Sequence, residues 1–590
     1  MPHPTSDTWS HGAHLLDSGL TRFALWAPDA FHVSVELENG QSIPMLLQDD
    51  GWYVIKAACP PGTAYRYQID GELLVPDPAS RAQQGDVHGP SLVVDPNAYQ
   101  WQFPEWQGRP WHEAVIYELH VGVLGGFAGV EKQLARLAEL GITAIELMPL
   151  AQVPGERNWG YDGVLPYAPQ SSYGTPDQLK HLIDCAHGHG LMVILDVVYN
   201  HFGPDGNYLG RYAKGFFRHD QKTPWGDAID FRRPQVRDFF IDNALMWLLE
   251  YRFDGLRFDA VHAIEDPDFL KQMAARIRQQ IDGPRQVWLT LENELNQAHL
   301  LEEGYDAQWN DDGHNALHVL LTGETEAYYS DFAEQPTEKL ARCLSEGFIY
   351  QGERNRHGEP RGEPSGHLPP NAFVLFLQNH DQIGNRAFGE RLSSLCSTDA
   401  LRAATTLLLL SPMVPLLFMG DEGAAREPFL FFTDFHGELA EAVRNGRRSE
   451  FAAFAAFTDA QQRARIPDPN ARETFDASRP RFPEPNEPWA ELYRTLLQLR
   501  HRHLTEHLTG SRSLGAQVLG DGALYARWQL NDGSELRIDL NLSDTAMDTA
   551  LPDIRHRLFD SRLETSDNPP TTALPPYSAL VSLTPAGDDA

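Results

Sequence analysis

Four short groups of ionisable side chains follow apolar runs in this chain, and their residue types could perform acid–base and nucleophilic chemistry. The groups are Asp196 and His201 in "VILDVVYNH", Arg257, Asp259 and His262 in "DGLRFDAVH", Glu292 in "LTLENE", and His380 and Asp381 in "FLQNHD". A single carboxylate after a strand is more often a helix cap or part of an ion pair. Four such groups in one chain are harder to explain as caps and favour a catalytic site.

This set of carboxylates, an arginine and histidines suits the hydrolysis of a glycoside. That reaction passes through an oxocarbenium-like transition state, which needs one acid to protonate the leaving oxygen and one carboxylate to attack or stabilise the anomeric carbon. Arg257 precedes Asp259 by two residues, so on a strand both side chains point to the same side. The guanidinium would keep the Asp259 carboxylate ionised, as a nucleophile requires, and Glu292 would supply the proton.

Apolar segments that alternate with helices or long loops must position these side chains. Eight of them are predicted to be strands: "AVIYELHV", "ITAIELMPL", "LMVILDVVYNH", "DGLRFDAV", "VWLTLENE", "YDAQWN", "AFVLFLQN" and "VPLLFMG". Helix signals fall between them, such as Thr175 and Pro176 at a helix start. The repeated units predict an α/β fold, a (β/α)8 TIM barrel with inserted loops, whose active site lies at the carboxyl ends of the strands. A doubly wound parallel sheet is the alternative.

Segments rich in short strands flank the predicted barrel. We expect an N-terminal β-sandwich of carbohydrate-binding type over residues 1–105, the catalytic barrel over 106–510, and a C-terminal antiparallel β-domain over 511–590. In the last, Asn531-Asp532-Gly533 predicts a hairpin turn. The Gly- and Pro-rich polar stretch 353–370 is predicted to be a long barrel loop.

Charge and composition exclude several partner classes. The net charge of −34 would repel nucleic acids and anionic membranes, and no secretory signal or membrane span is visible. The four cysteines form no CxxC pair, which argues against a zinc site or disulfide framework and predicts a soluble cytoplasmic protein. No compact oxygen-ligand loop, GxGxxG or Walker pattern is present, so we expect neither a metal nor a nucleotide cofactor.

The four groups resemble the signature regions of the α-amylase family of glycoside hydrolases, in the same order, and the resemblance covers nearly the whole chain. It implies that Asp259 is the nucleophile, Glu292 the general acid/base, and Asp381 a third carboxylate that stabilises the transition state. It also implies that His201 and His380 hydrogen-bond the sugar in the cleavage subsite. Tyr161, in "RNWGYDGV", resembles the family's stacking tyrosine.

Within that family, several stretches are similar to the maltooligosyltrehalose trehalohydrolases, including "YRFDGLRFDAVHAI", "QWNDDGHNALHVLLTGETEAYYSDF" and "NHDQIGNRAFGERL". This resemblance implies release of free trehalose by cleavage of the α-1,4 bond next to a terminal trehalose, with retention of configuration, and functional coupling to a maltooligosyltrehalose synthase. It places substrate contacts at three kinds of position, namely the strand-end residues Asp196, Arg257 and His262, the pair Asp312 and His314, and the residues Gln382 and Asn385 that follow His380.

The chain departs from the trehalohydrolase pattern at Gly313, Asn315 and Gly423, where an aromatic residue, a histidine and a tryptophan are more usual. Loss of aromatic surface there would weaken binding of the trehalose end, unless these positions only pack loops. A branching or debranching enzyme of the same family is the second reading. A third, a catalytically inactive barrel that binds glycans, conflicts with retention of Asp259, Glu292 and Asp381.

Overall fold

The computed structural model describes residues 9–223, 226–264, 266–281, 283–453, 459–562 and 572–587. Two antiparallel sheets come first, in the orders β1-β2-β6-β5 and β4-β3-β7-β8, with β9 also paired to β7. Phe23 and Tyr65 pack across them with ring centroids 4.9 Å apart, so the sheets form the expected β-sandwich. The strands are β1 Gly12–Leu15, β2 Thr21–Trp26, β3 Val33–Leu37, β4 Ser42–Pro44, β5 Leu46–Leu47, β6 Trp52–Ala57, β7 Ala64–Ile69, β8 Leu73–Val75 and β9 Ser91–Leu92.

A closed parallel barrel follows, in the strand order β10-β11-β14-β17-β18-β19-β20-β21. Each barrel strand falls inside one of the eight predicted segments, so the TIM-barrel prediction is confirmed and the doubly wound sheet is excluded. Two hairpins, β12–β13 and β15–β16, extend from it. The strands are β10 Ile116–Leu119, β11 Ala144–Leu147, β12 Ala151–Gln152, β13 Leu165–Pro169, β14 Met192–Val197, β15 Phe217–Thr223, β16 Gly226–Ile229, β17 Gly255–Phe258, β18 Trp288–Leu291, β19 Ala307–Trp309, β20 Phe373–Phe376 and β21 Val414–Phe418.

The helices cover the barrel and its loops. The predicted start at Thr175 is confirmed, because its side chain and Gln178 form a reciprocal capping box. The helices are α1 Phe127–Glu131, α2 Leu134–Leu140, α3 Pro176–Gly188, α4 Leu209–Tyr212, α5 Pro234–Leu249, α6 Pro267–Gln280, α7 Asp311–Thr322, α8 Pro336–Glu346, α9 His380–Gly384, α10 Leu392–Leu395, α11 Thr398–Leu410, α12 Gly437–Glu450, α13 Ala460–Arg463, α14 Arg472–Ala477 and α15 Pro488–His503. Among the described residues, no helix is long and apolar enough to cross a membrane.

A five-stranded antiparallel sheet closes the chain, in the order β22-β23-β24-β28-β26, beside a short β25–β27 pair. The predicted hairpin is confirmed, since β23 and β24 pair antiparallel on either side of Asn531-Asp532-Gly533. Trp528 is fully buried, and its indole donates to the Leu344 carbonyl at 3.1 Å, which fixes this sheet to α8. The strands are β22 Arg512–Gly520, β23 Ala523–Gln529, β24 Glu535–Asn541, β25 Met547–Asp548, β26 Arg557–Asp560, β27 Ala573–Leu574 and β28 Ser578–Thr584.

The barrel interior changes from apolar to ionisable along the strands. At the amino ends, Ile116, Ala144 and Trp288 belong to one buried cluster. Two residues further along β10 and β11 come Glu118 and Glu146, which are adjacent in the parallel register. Because side chains alternate between the two faces of a strand, the same inward face that packs the barrel's base presents charged groups nearer its carboxyl end.

Candidate active site

Arg257, at the third position of β17, is the cation around which the strand-end carboxylates gather. Its guanidinium is fully buried and lies 2.9 Å from Asp196, 2.7 Å from Asp259 and 3.0 Å from Glu292. The guanidinium also lies over the Trp309 ring, with its Cζ atom 4.2 Å from the ring centroid. Groups from β14, β17 and β18 are therefore brought into one constellation, as the sequence predicts.

The pKa of Asp259 is more strongly perturbed than the sequence suggests. The expected contact with Arg257 is present, but burial and then the neighbouring Glu292 carboxylate raise the pKa of Asp259 well above its ordinary value, and Arg257 only opposes that shift. One cation shared among three carboxylates cannot balance all of their charge. The expected stabilisation of the Asp259 charge by Arg257 is therefore present, but burial and the Glu292 carboxylate oppose it.

The backbone after Asp259 fixes the position of Glu292. Ala260 adopts the left-handed conformation, with φ of 41°, and its N–H donates to Glu292 Oε2 at 2.8 Å. A non-glycine residue in this conformation is uncommon and strained. The strained turn thus directs a backbone donor at the carboxylate opposite Asp259.

His380 lies between two carboxylates at the start of α9. Its Nε2 is 3.3 Å from Asp381 and its Nδ1 contacts Glu118, while its backbone N–H donates to Glu118 at 3.1 Å. Burial disfavours the imidazolium, but Glu118 and Asp381 outweigh burial and raise the pKa of His380 well above its ordinary value. Burial would likewise raise the pKa of Asp381, yet the charge on His380 holds it below its ordinary value. Asp381 is therefore kept ionised.

Tyr161, Asp196 and His201 support this constellation from one side. The Tyr161 ring stacks on His380, with centroids 5.0 Å apart, and its hydroxyl donates to Asp196 at 2.6 Å. His201 donates from Nε2 to the Tyr161 carbonyl at 2.9 Å, and burial lowers the pKa of His201 to about 4, so its ring is neutral near pH 7. Asp196 is 1% exposed and holds Arg257 and Tyr161 rather than lining the open pocket.

A pocket of about 310 Å³ opens over these groups. Five of the predicted site residues line it: His262, Glu292, Asp381, Gln382 and Asn385. Asn385 donates to Asp381 at 3.2 Å. The other walls come from the turn Ala327–Phe332 and from the predicted long loop, through Tyr328, Asp331, Phe332, Asn355, Arg356, His357 and Arg361.

The structure does not place Asp312 and His314 among the pocket's lining residues. Asp312 is fully buried and accepts hydrogen bonds from Asn296, from the backbone of residues 349 and 350, and from Arg361. His314 is also fully buried and stacks on Phe376. Their neighbours Asp311 and Asn315 line the pocket instead. Burial, and then Glu292 and Asp381, raise the pKa of Asp311 well above its ordinary value.

The two unusual glycines have packing explanations. A Cβ on Gly313 would lie 2.8 Å from Leu375 and 2.9 Å from Cys343, so there is no room for an aromatic ring. A Cβ on Gly423 would meet Pro483 at 2.9 Å, and Gly423 lines a different pocket. Of the three departures, only Asn315 therefore faces the candidate substrate pocket.

Three ionisable residues were missed by sequence reasoning. Glu118 and Glu146 lie inside the barrel and are 1% and 0% exposed, and Asp311 lines the pocket. A signal existed for the first two, because each is a single carboxylate inside an otherwise apolar strand, in "IYEL" and "AIEL". A charge in such a place requires a partner or a shifted pKa.

Comparison with known proteins agrees with this geometry. Residues 90–225 match the family model described as alpha amylase, catalytic domain, and residues 511–581 match a domain of unknown function, DUF3459. The malto-oligosyltrehalose trehalohydrolase of Deinococcus radiodurans is 39% identical over 90% of this chain and 92% of its own length. That of Rhizobium sp. strain M-11 is 38% identical over 95% of this chain and 98% of its own length.

Solved structures give the same answer for the fold. A crystal structure from Salmonella typhimurium, described provisionally as an alpha amylase, is 44% identical, with a TM-score of 0.90 over 98% of this chain and all of that chain. Since the curated relatives exceed a third identity over nearly their full length, the chain belongs to the malto-oligosyltrehalose trehalohydrolase family, within the α-amylase type of glycoside hydrolases.

Proposed function

We propose that this chain is a retaining glycoside hydrolase that cleaves the α-1,4-glucosidic bond next to the terminal trehalose of maltooligosyltrehalose and releases trehalose. One observation carries the chemistry: Asp259 and Glu292 meet at a single buried guanidinium, at the strand ends below a pocket that Asp381 also lines. The substrate class rests on the malto-oligosyltrehalose trehalohydrolases that are related to this chain over nearly their full length.

In the first step, the Glu292 carboxylic acid gives its proton to the glycosidic oxygen as that bond breaks. The Asp259 carboxylate attacks the anomeric carbon and forms a glycosyl ester, and trehalose leaves. In the second step, Glu292 takes a proton from water, the water oxygen attacks the anomeric carbon, and Asp259 departs as a carboxylate. Arg257 is 2.7 Å from Asp259 and 3.0 Å from Glu292, so its positive charge lies beside both reacting carboxyl groups.

Asp381 stabilises the positive charge that develops on the sugar ring, because its ionised state is maintained by His380. We assign Tyr161, His201 and His380 to the wall beside the reacting sugar. His262, Gln382 and Asn385 are assigned to substrate contacts, because they line the pocket with Glu292. The substrate-contact roles assigned from the sequence to Asp312 and His314 pass to Asp311 and Asn315.

The remaining assignments follow from the same proposal. We place the domain boundaries at residues 105 and 510, between the sandwich, barrel and C-terminal sheet. The four cysteines are unpaired with one another, which supports a reducing, cytoplasmic setting. An enzyme that consumes maltooligosyltrehalose needs a synthase to supply it, so we infer functional coupling to one.

A comparison of two substrates tests the reaction. The protein is incubated with maltooligosyltrehalose and, separately, with the matching maltooligosaccharide. We expect free trehalose from the first and far slower hydrolysis of the second. Equal rates on both would contradict the trehalose assignment, and action on α-1,6 links would favour a debranching enzyme.

Two variants test the roles of the carboxylates. Asp259→Ala and Glu292→Gln are each expected to lower kcat by several orders of magnitude while far-UV circular dichroism and the unfolding midpoint stay near those of the wild type. Near-normal turnover in either variant would overturn its assigned role.

A further inference from the structure

A cluster on the outer wall of the barrel brings together three residues that are far apart in the sequence. His181 and Cys185 lie one turn apart on α3, and Glu131 ends α1, which packs against α3. Cys185 Sγ is 3.5 Å from His181 Nε2, and Glu131 Oε1 is 3.7 Å from the same nitrogen. Within the described part of the chain, these are the residues whose thiol, imidazole and carboxylate atoms all lie within 4.8 Å of one another.

These separations are close to those around a tetrahedral zinc ion. Zinc binds cysteine sulfur at about 2.3 Å and histidine nitrogen or carboxylate oxygen at about 2.0–2.2 Å, which places neighbouring ligand atoms about 3.3–3.6 Å apart. The sulfur–nitrogen separation fits in length, but Sγ also lies 4.0 Å from Nδ1 and therefore sits beside the ring, so zinc binding requires the thiol to rotate toward the Nε2 lone pair. The nitrogen–oxygen distance needs a shift of a few tenths of an ångström, which a half-exposed glutamate can make. Glu131 and His181 side chains are 41% and 44% exposed, so solvent can reach the fourth position.

A hydrogen-bond chain sets the histidine tautomer that metal binding needs. Asp184 accepts from the backbone amides of Gln102 and Phe103 and from the Tyr99 hydroxyl at 2.9 Å. Since Tyr99 donates its proton there, its oxygen is left to accept from His181 Nδ1, 3.3 Å away. Nε2 then carries the lone pair, and Nε2 is the ring nitrogen nearer to Cys185 Sγ, at 3.5 Å against 4.0 Å for Nδ1. A partner on the second ring nitrogen is the usual arrangement for a histidine ligand.

We propose that Glu131, His181 and Cys185 form a zinc-binding site that joins α1 to α3. A thiolate, a neutral imidazole and a carboxylate form a ligand set typical of zinc, with water in the fourth position. None of the three lines the active-site pocket, so the ion acts on the stability of the barrel wall and takes no part in hydrolysis.

Cobalt substitution in the full-length, chelator-treated protein tests the site. We expect one Co²⁺ per chain to produce a thiolate-to-cobalt charge-transfer band and tetrahedral ligand-field bands, both removed by added Zn²⁺. Zn²⁺ should also raise the unfolding midpoint of the wild type. Cys185→Ser should abolish the charge-transfer band and the shift in midpoint, whereas Cys396→Ser, which alters another partly buried cysteine, should keep both.

The outcomes are decisive even if Cys185→Ser folds poorly, because His181→Gln removes a second ligand and the wild type is measured directly. No thiolate band in the wild type, or a band that survives both Cys185→Ser and His181→Gln, would overturn the proposal. Trehalose release should be unchanged by Zn²⁺, and this readout keeps the test separate from the proposed hydrolysis.

Discussion

Glu118 accepts two hydrogen bonds from His380, one from the Nδ1 of the ring and one, at 3.1 Å, from the backbone amide. The first barrel strand thereby anchors the residue that precedes Asp381. The ring's other nitrogen lies 3.3 Å from Asp381, so a chain of alternating charge runs from the barrel interior to the pocket. Glu118 acts through His380 and is a positioning residue.

Glu118→Gln should narrow the pH profile of trehalose release. Loss of the Glu118 charge lowers the pKa of His380, since this carboxylate is the largest influence that raises it. Once the imidazolium is lost, Asp381 loses the charge that keeps its own pKa low, and its pKa rises. The acid limb of kcat/KM should therefore move to higher pH. At a fixed pH on that limb, kcat/KM should fall about tenfold if the pKa of Asp381 rises by about one. A uniform loss with both limbs unmoved would indicate a merely structural role.

Glu146→Gln is the matched control and has its own expected outcome. Both Glu146 carboxyl oxygens are buried, with no hydrogen-bond partner among the described residues, and burial followed by the Glu118 charge raises the pKa of Glu146 well above 4.5. A carboxyl with a raised folded-state pKa stabilises the fold fully below its unfolded pKa, and that contribution is lost as the pH rises toward the folded-state value. The variant cannot ionise. The unfolding midpoint of the variant should therefore increase relative to that of the wild type as the pH rises above about 4.5.

Thermal unfolding of Glu146→Gln and of the wild type tests whether Glu146 is neutral in the folded protein. Thermal unfolding is measured for both proteins at several pH values between about 4 and about 8. A difference in midpoint that stays constant with pH would show that Glu146 is not a neutral acid in the folded chain. The pH limbs of kcat/KM in Glu146→Gln should stay close to those of the wild type, because the hydrogen bonds that position the His380 ring go to Glu118 and not to Glu146.

The barrel and its three carboxylates could be predicted from sequence because a simple rule links them. Apolar strand segments end in polar groups, and parallel barrel strands bring those ends to one rim. The choice between Asp311 and Asp312 could not be predicted in this way. It depends on where α7 begins: Asn310 caps the helix and accepts from the amide of Gly313 at 3.2 Å, and adjacent helical residues then face about 100° apart.

The zinc cluster shows a second limit of sequence reasoning. The spacing of His181 and Cys185 is a weak signal without a third ligand, and Glu131 lies fifty positions before His181. Only the packing of α1 against α3 joins them. The pKa of Asp259 shows a third limit, because the number of carboxylates that share Arg257 depends on side chains from three strands.

Asp311→Asn should affect mainly activity and Asp312→Asn mainly stability, although the two residues are neighbours. Asp311 lines the pocket beside Glu292 and Asp381, so its substitution should change kcat/KM about tenfold and leave the unfolding midpoint nearly unchanged. Asp312 pairs with Arg361 at 2.8 Å in a fully buried setting, so its substitution should cost about 2 kcal/mol or more of unfolding free energy. Kinetics and denaturant unfolding of both variants decide the matter, and the reverse pattern would restore Asp312 as the substrate contact.

Retention at the anomeric carbon is the prediction that tests the pairing of Asp259 with Glu292. Both carboxylates reach one guanidinium, which is consistent with the separation of about 5–5.5 Å found in retaining enzymes rather than the wider gap that admits a water molecule in inverting ones. The maltooligosaccharide released alongside trehalose should therefore appear first as its α-anomer in a time course of proton NMR spectra and mutarotate afterwards. A product that is initially β would require direct attack by water, and Asp259 would then be the base rather than the nucleophile.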